Sequence, residues 1–492
     1  MRKALIFFAF LLCTGIIGML CIGSAMTHAE YDVSFIEASS YGDAASADGL
    51  KVSVNANFKN RLSWNSVYSF GKAAPGETDF TFFSKPLYEP GSYEPGSYEP
   101  LALHIFNNSS LRIYGGSLLY DEEDTIYPSY EFRSMEKIMH DVESRTENGE
   151  SRTESIRYKD YYEYFPMDVN LYPRDYHFNG YGSEEAEHFL SPADYGEIND
   201  VFESYFRIPV PEDYIITVQV EKDSLGNLVQ LSTEGENSVQ ISAVSIDTDD
   251  GVYFALQTQQ GFDSGNIPGG NGIYLLPAAA IADENGEQLT TIDIHGLKTV
   301  YSIGDSALIQ KLYMSEDKSC LNLITAENGS LVLRAIDIAS MSEKQVLPLL
   351  DDISGGGWRK LSYADGHLLA LMDDNRFVLA DSDRDNHYSI VLTGTRNGEL
   401  LEPFRGYMGE PVISWDGERM ALVTEAMRFV PETDDFITGY SYITCGFTVE
   451  VFDESGLTYK GIYESSLDVL EAEDSSYSKC ALDNIGGLSV SW

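Results

Sequence analysis

Three stretches of the sequence share one pattern: residues 250–256 read DGVYFAL, residues 365–371 read DGHLLAL, and residues 416–422 read DGERMAL. A fourth stretch, DKSCLNL at residues 317–323, is a weaker copy. Each follows a short run in which apolar and polar residues alternate. Glycine accepts a positive φ without a Cβ clash, so Asp-Gly between two alternating runs is typical of a β-hairpin. The four stretches therefore predict a repeated hairpin.

The spacing of the copies indicates the size of the repeated unit. Their first residues, at positions 250, 317, 365 and 416, lie 67, 48 and 51 residues apart. Such distances fit a four-stranded antiparallel sheet with its loops. We therefore predict a mainly β fold, with short helices and loop insertions in the N-terminal half of the chain.

The turns resemble those of a known repeat family. Residues 414–417 (SWDG) and 362–366 (SYADG) are similar to the Ser-Pro-Asp-Gly turn of the WD-like repeats in extracytoplasmic β-propellers, although every copy here lacks the proline. The resemblance covers about half of the chain, from Val239 onward. It implies a β-propeller-like domain, which we place at residues 213–492.

The end of the sequence suggests how such repeats could close. Residues 486–492 (GGLSVSW) repeat the strand that precedes a turn, and residues 47–54 (ADGLKVSV) offer the matching turn and strand. We expect these two segments to pair, as when both termini complete one blade and remove exposed edges. One ring would then span the mature chain, with insertions between residues 70 and 210. The alternative is a separate mixed domain over residues 30–212.

The N-terminus predicts export. Arg2 and Lys3 precede an apolar run over residues 4–26, which is followed by Thr27, His28 and Ala29. This pattern is typical of a signal peptide cleaved after Ala29, while the length of the run also suits an uncleaved membrane anchor. Residues 1–29 are therefore predicted to be a signal peptide or an anchor, and the remainder to be extracytoplasmic, either secreted or held at the membrane.

Composition excludes some classes of function. The 492 residues include 32 Lys and Arg against 78 Asp and Glu, a net charge of −46, so nucleic acid is not an expected partner. The 32 Tyr and 24 Phe supply more apolar surface than disordered chains contain. Outside the first 29 residues only Cys320, Cys445 and Cys480 occur, which predicts buried free thiols, with a Cys445–Cys480 disulfide as the alternative.

The N-terminal half contains two helical patterns and two duplications. Apolar residues at helical spacing follow Ser134, and a second helix is predicted to begin at Ser191-Pro192 and to end before Pro209. Residues 88–100 repeat Tyr-Glu-Pro, and residues 143–155 repeat ESRTE. Both duplications are predicted to be exposed loops.

An aromatic cluster, YKDYYEYF at residues 158–165, is the candidate ligand site. Its residues Tyr161, Tyr162 and Tyr164 could stack on sugar rings beside nearby acids, which could also serve glycoside hydrolysis. The alternative is a strand that packs its aromatic side chains into the core.

Two acidic stretches are candidate calcium sites. Asp381, Asp383 and Asp385 alternate in DSDRDNHY, and Asp247 and Asp249 alternate in DTDDG. Alternating oxygen ligands can wrap a calcium ion, although the remaining positions of a calcium loop are not matched. Asx turns, in which aspartate fixes the backbone of a loop, are the alternative.

No nucleophile, metal-site or phosphate-binding motif stands out in the sequence. We therefore predict an exported, acidic, propeller-like protein that binds a protein or glycan at the cell envelope. The alternatives are a carbohydrate-binding protein or glycoside hydrolase that uses residues 158–165, and a structural envelope protein whose acidic surface collects divalent cations.

Overall fold

A computed structural model of the chain describes residues 14–21, 23–24, 35–58, 62–71, 77–82, 101–105, 112–114, 136–171, 192–235, 241–258, 267, 271–282, 288–304, 306–353, 358–364, 366–372, 374–396, 411–431, 440–465 and 484–492. Strands dominate these residues, as the repeats predict. The two helices described below are α1 (Glu136–Arg145) and α2 (Pro192–Phe206).

The strands, in chain order, are β1 (Phe35–Gly42), β2 (Lys51–Phe58), β3 (Leu62–Ser69), β4 (Glu77–Phe82), β5 (Leu101–Ile105), β6 (Arg112–Tyr114), β7 (Ser151–Arg157), β8 (Met167–Leu171), β9 (Ile215–Lys222), β10 (Leu228–Gly235), β11 (Ile241–Thr248), β12 (Gly251–Thr258), β13 (Gly272–Ala282), β14 (Gln288–Ile292), β15 (Lys298–Ser302), β16 (Leu308–Met314), β17 (Cys320–Glu327), β18 (Ser330–Asp337), β19 (Ser342–Leu350), β20 (Trp358–Ala364), β21 (His367–Met372), β22 (Arg376–Ser382), β23 (Tyr388–Thr395), β24 (Val412–Trp415), β25 (Met420–Pro431), β26 (Tyr440–Asp453), β27 (Gly456–Ser465) and β28 (Asn484–Ser491).

The chain divides into two compact units. Unit 1 combines Met1–Glu89 with Gly355–Trp492, and unit 2 is Pro90–Ser354. The predicted boundary between residues 212 and 213 lies inside unit 2, close to the start of β9. The predicted domain division stays a prediction.

Unit 1 contains three antiparallel sheets of the kind that the repeats predict. Their strand orders are β20-β21-β22-β23, β28-β2-β3-β4 and β1-β27-β26-β25-β24. In the first sheet, strands that follow one another in sequence also lie side by side, which is the arrangement of a propeller blade. The other two combine strands from both ends of the chain.

The predicted pairing of the two ends is confirmed. Strand β28 lies antiparallel to β2, with Val490 opposite Val52 and Leu488 opposite Val54. Val52 and Val54 are buried in the core of the unit, and Leu488, Val490 and Trp492 pack against that core. Strand β28 therefore completes the sheet that β2, β3 and β4 form.

Unit 2 also contains three antiparallel sheets. Their orders are β16-β17-β18-β19, β6-β10-β9-β7 and β14-β13-β12-β11-β5-β8, with β15 also paired to β13 in the last. The two helices pack on the larger core of this unit, where Ile138 and Val142 of α1 and Ile198, Phe202 and Phe206 of α2 are buried. Both helical predictions are confirmed, and α2 begins at Pro192 as expected. The fold is mainly β with propeller-like repeats and short helical insertions.

All four repeat stretches form hairpins. They join β11 to β12, β16 to β17, β20 to β21, and β24 to β25. The glycines of the first, third and fourth turns have positive φ values, 125° at Gly251, 78° at Gly366 and 102° at Gly417. In the weaker copy, Lys318 takes this role with a φ of 59°. The backbone conformation of the turn is therefore kept where the glycine is absent.

The hairpin at Gly251 is more crowded than the one at Gly417, which gives a matched test. A Cβ atom at Gly251 would lie 2.1 Å from the carbonyl oxygen of Leu276, whereas nothing lies within 4 Å of a Cβ at Gly417. We expect Gly251→Ala to lower the free energy of unfolding by about 3 kcal/mol, and Gly417→Ala by about 1 kcal/mol from its backbone conformation alone. Urea unfolding of both variants measures this, and equal losses would contradict the assigned turn packing.

One predicted loop is wrong. Residues 143–155 form the end of α1, a short turn and most of β7, which is the edge strand of its sheet. The charges of the duplication pair with one another: Arg145 lies 2.7 Å from Glu154, and Arg152 lies 3.3 Å from Glu150. A polar segment can therefore form a helix end and an exposed strand without contributing many core side chains. The other duplication, at residues 88–100, lies outside the described residues.

Part of the predicted signal or anchor is helical, over residues 14–21 and 23–24. Its side chains Ile16, Ile17, Met19 and Leu20 are exposed. Among the described helices, none is both long and apolar enough to cross a membrane. Cys320 is buried and free, as predicted, while the side chains of Cys445 and Cys480 are not described.

Candidate functional site

The predicted tyrosine site lies in unit 2, between β7 and β8. Its first residues form a 3-10 turn over Tyr158–Asp160, and Tyr164 then forms an antiparallel bridge with Pro209. The alternative prediction of a regular strand is therefore wrong. The turn brings Tyr158 and Tyr162, four residues apart, into a stack with ring centroids 5.0 Å apart.

Part of the cluster belongs to the core. Tyr158, Tyr162 and Phe165 are buried, and both Tyr158 and Phe165 meet the ring of Tyr214 edge-on at 5.5 Å. Tyr161 and Tyr164 are only partly buried. The aromatic segment is thus anchored by three side chains, and two others are partly exposed.

The end of α2 sets the position of the cluster. The carbonyl oxygen of Ile208 accepts a hydrogen bond from the Phe165 amide at 2.9 Å, and that of Glu163 accepts one from the Val210 amide at 3.1 Å. Arg207, the first residue after the helix, has a left-handed φ of 42°, which turns the chain into this pairing. The Arg207 side chain therefore lies beside Tyr164.

A pocket of about 520 Å³ opens at this position. Its volume is within the range of small-molecule binding sites. The lining residues combine aromatic, basic and acidic side chains, and they are Lys137, Tyr161, Tyr162, Glu163, Tyr164, Pro166, Glu203, Ser204 and Arg207. All three tyrosines predicted as ligand residues line the same pocket.

Two cations lie over the rings of the pocket. The Lys137 ammonium is 4.9 Å from the ring centroid of Tyr162, and the Arg207 guanidinium is 4.6 Å from that of Tyr164. Arg207 Nη2 also donates a hydrogen bond to the Tyr164 hydroxyl at 2.6 Å, and the Lys137 amide donates to the Tyr162 hydroxyl at 3.2 Å. The negative faces of the rings hold both cations in place.

These contacts change what the tyrosines can bind. Tyr162 is 8% exposed, with Tyr158 stacked on its ring and Lys137 above it, and Arg207 covers Tyr164. Broad stacking of a sugar on these faces is therefore not the main contact that the pocket offers. The phenol edges and the charged groups remain available to a ligand.

Tyr161 connects the pocket to an ion pair. Its hydroxyl donates a hydrogen bond to Asp141, which lies 2.8 Å from Arg145. The Tyr161 hydroxyl and then the Arg145 guanidinium lower the pKa of Asp141, and the same hydrogen bond, together with burial, raises the pKa of Tyr161. Tyr161 therefore remains a neutral hydrogen-bonding group at physiological pH.

Lys137 and Arg207 differ from the other basic residues around them. Arg145, Arg152 and Lys159 each form an ion pair with a carboxylate. Within the described part of the chain, neither Lys137 nor Arg207 has a carboxylate oxygen within 4.0 Å. Lys137 and Arg207 thus bring two positive charges to one pocket of a chain whose net charge is −46.

The two glutamates of the pocket differ in how they are held. Glu203 Oε1 accepts a hydrogen bond from the Met167 amide at 3.1 Å, which fixes its side chain against β8. Glu163 is exposed. The pocket therefore combines two basic and two acidic side chains with phenol hydroxyls and the side chain of Ser204.

The predicted metal residues lie in hairpins. In unit 1, Asp381 on β22 lies 2.9 Å from His367, while Asp383 accepts hydrogen bonds from the amides of Asp385 and His387, both at 2.9 Å. The contacts of Asp383 are those of an Asx turn.

In unit 2, Asp247 is on β11 and Asp249 is in the following turn. Among the described residues, no three His, Cys, Asp or Glu side chains are grouped to hold a metal ion. Calcium binding at either stretch stays a prediction.

No pattern in the sequence indicates the two cations of the pocket. A basic residue at the end of a helix is common because it interacts favourably with the helix dipole, so Arg207 does not stand out. Lys137 lies in a helix 25 residues before Tyr162, and only the packing of α1 brings the two together. The aromatic cluster was the one signal that pointed to this pocket.

The chain matches no family model and no curated protein. Partly similar solved structures include the β-propeller domain of Cps50 (Swd1) from Myceliophteria thermophila, at 9% identity, covering 50% of this chain and 82% of that one with a TM-score of 0.22. A putative 6-phosphogluconolactonase from Bacteroides fragilis is 12% identical, with coverages of 51% and 71% and a TM-score of 0.24. Hsv2 from Kluyveromyces lactis is 8% identical, with coverages of 48% and 83% and a TM-score of 0.22. Scores this low assign neither a family nor an activity.

Proposed function

We propose that the protein is an exported, non-catalytic binding protein of the cell envelope, and that the pocket beside α2 binds a saccharide. The observation that carries this proposal is the convergence of Tyr161, Tyr162 and Tyr164 on one pocket of about 520 Å³. Concave sites that combine aromatic side chains with a few converging polar groups are typical ligand sites. Export is supported by the basic and apolar pattern of residues 1–29.

The polar groups of the pocket suit a ligand rich in hydroxyls. The carboxylates of Glu163 and Glu203 can accept hydrogen bonds, and the hydroxyls of Tyr164 and Ser204 can both donate and accept them, whereas the Tyr161 hydroxyl donates to Asp141 and can only accept. Glycoside hydrolysis is the catalytic alternative, because it requires two carboxylates. Release of reducing sugar from a bound oligosaccharide would favour that alternative.

A protein partner is the second candidate, and the edge strand β1 favours it. Among the described strands, β1 is the outer strand of its sheet, and its side chains Ile36 and Tyr41 are 60% and 49% exposed. Exposed apolar side chains on an open strand edge can accept an added strand from another protein. This surface belongs to unit 1, whereas the pocket belongs to unit 2.

One capture experiment tests both candidates. Residues 30–492 are immobilised and exposed to an extract of the cell envelope, in calcium and in chelator. We expect glycan to be retained, and retention to fall at least about tenfold in Tyr164→Ala, which removes the platform for Arg207. Ile36→Lys changes only the strand edge and is the matched control.

The outcomes are distinct. Glycan retention that is lost in Tyr164→Ala and kept in Ile36→Lys supports the pocket. Recovery of one protein that is lost in Ile36→Lys and kept in Tyr164→Ala would replace the saccharide proposal with a protein-binding function. Loss of retention in chelator alone would direct attention to the aspartate stretches.

A further inference from the structure

The charge of the pocket contrasts with the charge of the chain. Acidic residues outnumber basic ones 78 to 32, and described basic side chains such as Arg145, Arg334 and Arg396 form ion pairs with carboxylates. The described residues provide no such partner for Lys137 or Arg207. Both side chains are exposed and line the same pocket.

The tyrosine rings hold these cations without neutralising them. An aromatic face attracts a cation through its quadrupole but has no net charge. The ring of Tyr164 and its hydroxyl fix the Arg207 guanidinium, which has further N–H donors to offer. A carboxylate on a ligand could accept two parallel hydrogen bonds from such a group.

The neighbouring acids restrict the ligand further. Glu163 and Glu203 line the pocket together with the two cations. Ligands with several negative charges would be repelled by these carboxylates, whereas the hydroxyls of a sugar would donate hydrogen bonds to them. One negative charge among many hydroxyls is therefore the best complement.

We propose that the ligand is a saccharide with a carboxylate group, a uronic acid unit, whose carboxylate is bound by Arg207 and Lys137. This proposal rests on the proposed function of the pocket and adds the charge of its ligand. Glu163, Glu203 and the phenol hydroxyls bind the sugar hydroxyls. The tyrosines act by positioning the cations.

The test compares two disaccharides that differ at one position, where a carboxylate replaces a hydroxymethyl group. Isothermal titration measures the binding of cellobiouronic acid and of neutral cellobiose to residues 30–492. Because hydrogen bonds between charged groups are stronger than those between neutral groups, we expect the acid to bind at least about tenfold more tightly than the neutral sugar. The ratio of the affinity for the acid to the affinity for the neutral sugar should fall as salt is added, since the pocket is open to solvent.

Variants distinguish the loss of a positive charge in the pocket from a general effect on folding. Arg207→Gln should reduce the ratio to near one while cellobiose still binds, and Lys137→Gln should reduce it in part. Lys159→Gln is the matched control, because Lys159 is a nearby cation that pairs with Glu212 at 2.6 Å and does not line the pocket. The ratio should be unchanged in that variant, and circular dichroism confirms that each variant is folded.

Failure of this proposal can be told from failure of the proposed function. If both sugars bind equally and Tyr164→Ala abolishes that binding, the proposal of a carboxylate on the ligand is overturned, and the proposal of a saccharide site stands. Binding of neither sugar would overturn both. Glycylglycine has an ammonium and a carboxylate group that suit the same four charged side chains. If it binds more tightly than either sugar, the saccharide proposal is overturned and a peptide replaces it as the ligand.

Discussion

Glu450→Gln is expected to lower the free energy of unfolding by about 3–5 kcal/mol, because it leaves two buried cations without their counter-charge. Glu450, on β26, is 2% exposed, and its carboxylate lies 2.5 Å from Arg396 and 2.9 Å from Lys460. Both cations are at least nine-tenths buried. Urea unfolding measures the loss. Glu454→Gln, at an exposed residue after β26, is the matched control and should change little.

The ion pairs of Glu450 with Arg396 and Lys460 also predict how the stability of the protein depends on pH. Burial raises the pKa of Glu450, but the charges and hydrogen bonds of Arg396 and Lys460 outweigh it, so the pKa lies below its ordinary value. A lowered pKa in the folded state contributes stability above the unfolded pKa, near 4.3, that is lost as pH falls through the folded value. The difference in stability between the native protein and Glu450→Gln should therefore be constant above about pH 5 and shrink below about pH 4. A difference that grows in acid would contradict the assigned ion pairs.

Removal of residues 484–492 is the second change with a large expected effect. Strand β28 pairs with β2 over seven residue pairs, and the Trp492 indole donates a hydrogen bond to the Ser414 carbonyl oxygen at 3.3 Å. The truncation exposes one edge of β2 and uncovers core residues Val52 and Val54. We expect a loss of about 3–6 kcal/mol from the apolar contacts and ladder hydrogen bonds together.

Two controls distinguish the strand from a nonspecific effect of truncation. A synthetic peptide of residues 484–492 should restore part of the lost stability in a concentration-dependent manner, because it binds only the folded state. In the full chain, Val490→Asp should destabilise strongly and Ser489→Asp weakly, because Val490 packs on the core and Ser489 is exposed. Unfolding of the truncated protein at the same urea concentration as the full chain would show that β28 does not complete the sheet.

The sequence predicted local structure well wherever the backbone itself sets a requirement. Asp-Gly between alternating runs requires a tight turn, and Gly251, Gly366 and Gly417 all have the expected positive φ. The pairing of β28 with β2 was also predictable, because residues 486–492 repeat the strand that precedes a turn and residues 47–54 supply the matching turn and strand. The many charged side chains of residues 143–155 led to the wrong prediction of a loop, because these acids and arginines pair with one another in a helix end and an edge strand.

Contacts between distant elements could not be read in this way. Glu450 and Lys460 face each other across the β26–β27 hairpin, but Arg396, which follows β23, lies more than 50 residues before them, and no local pattern shows that it meets Glu450. The aromatic stretch indicated a site, but α1 and the left-handed turn after α2 bring in the two cations that define its charge. The contact of Arg396 with Glu450 and the position of the two pocket cations both depend on packing between elements that are far apart in sequence.

The most direct test of the binding account is a crystal structure of residues 30–492 with cellobiouronic acid. We predict density for the sugar in the pocket beside α2, with its carboxylate about 3 Å from nitrogen atoms of Arg207 or Lys137 and its hydroxyls near Glu163 and Glu203. Sugar bound at another surface, or bound in this pocket with its carboxylate directed away from both cations, would contradict the account.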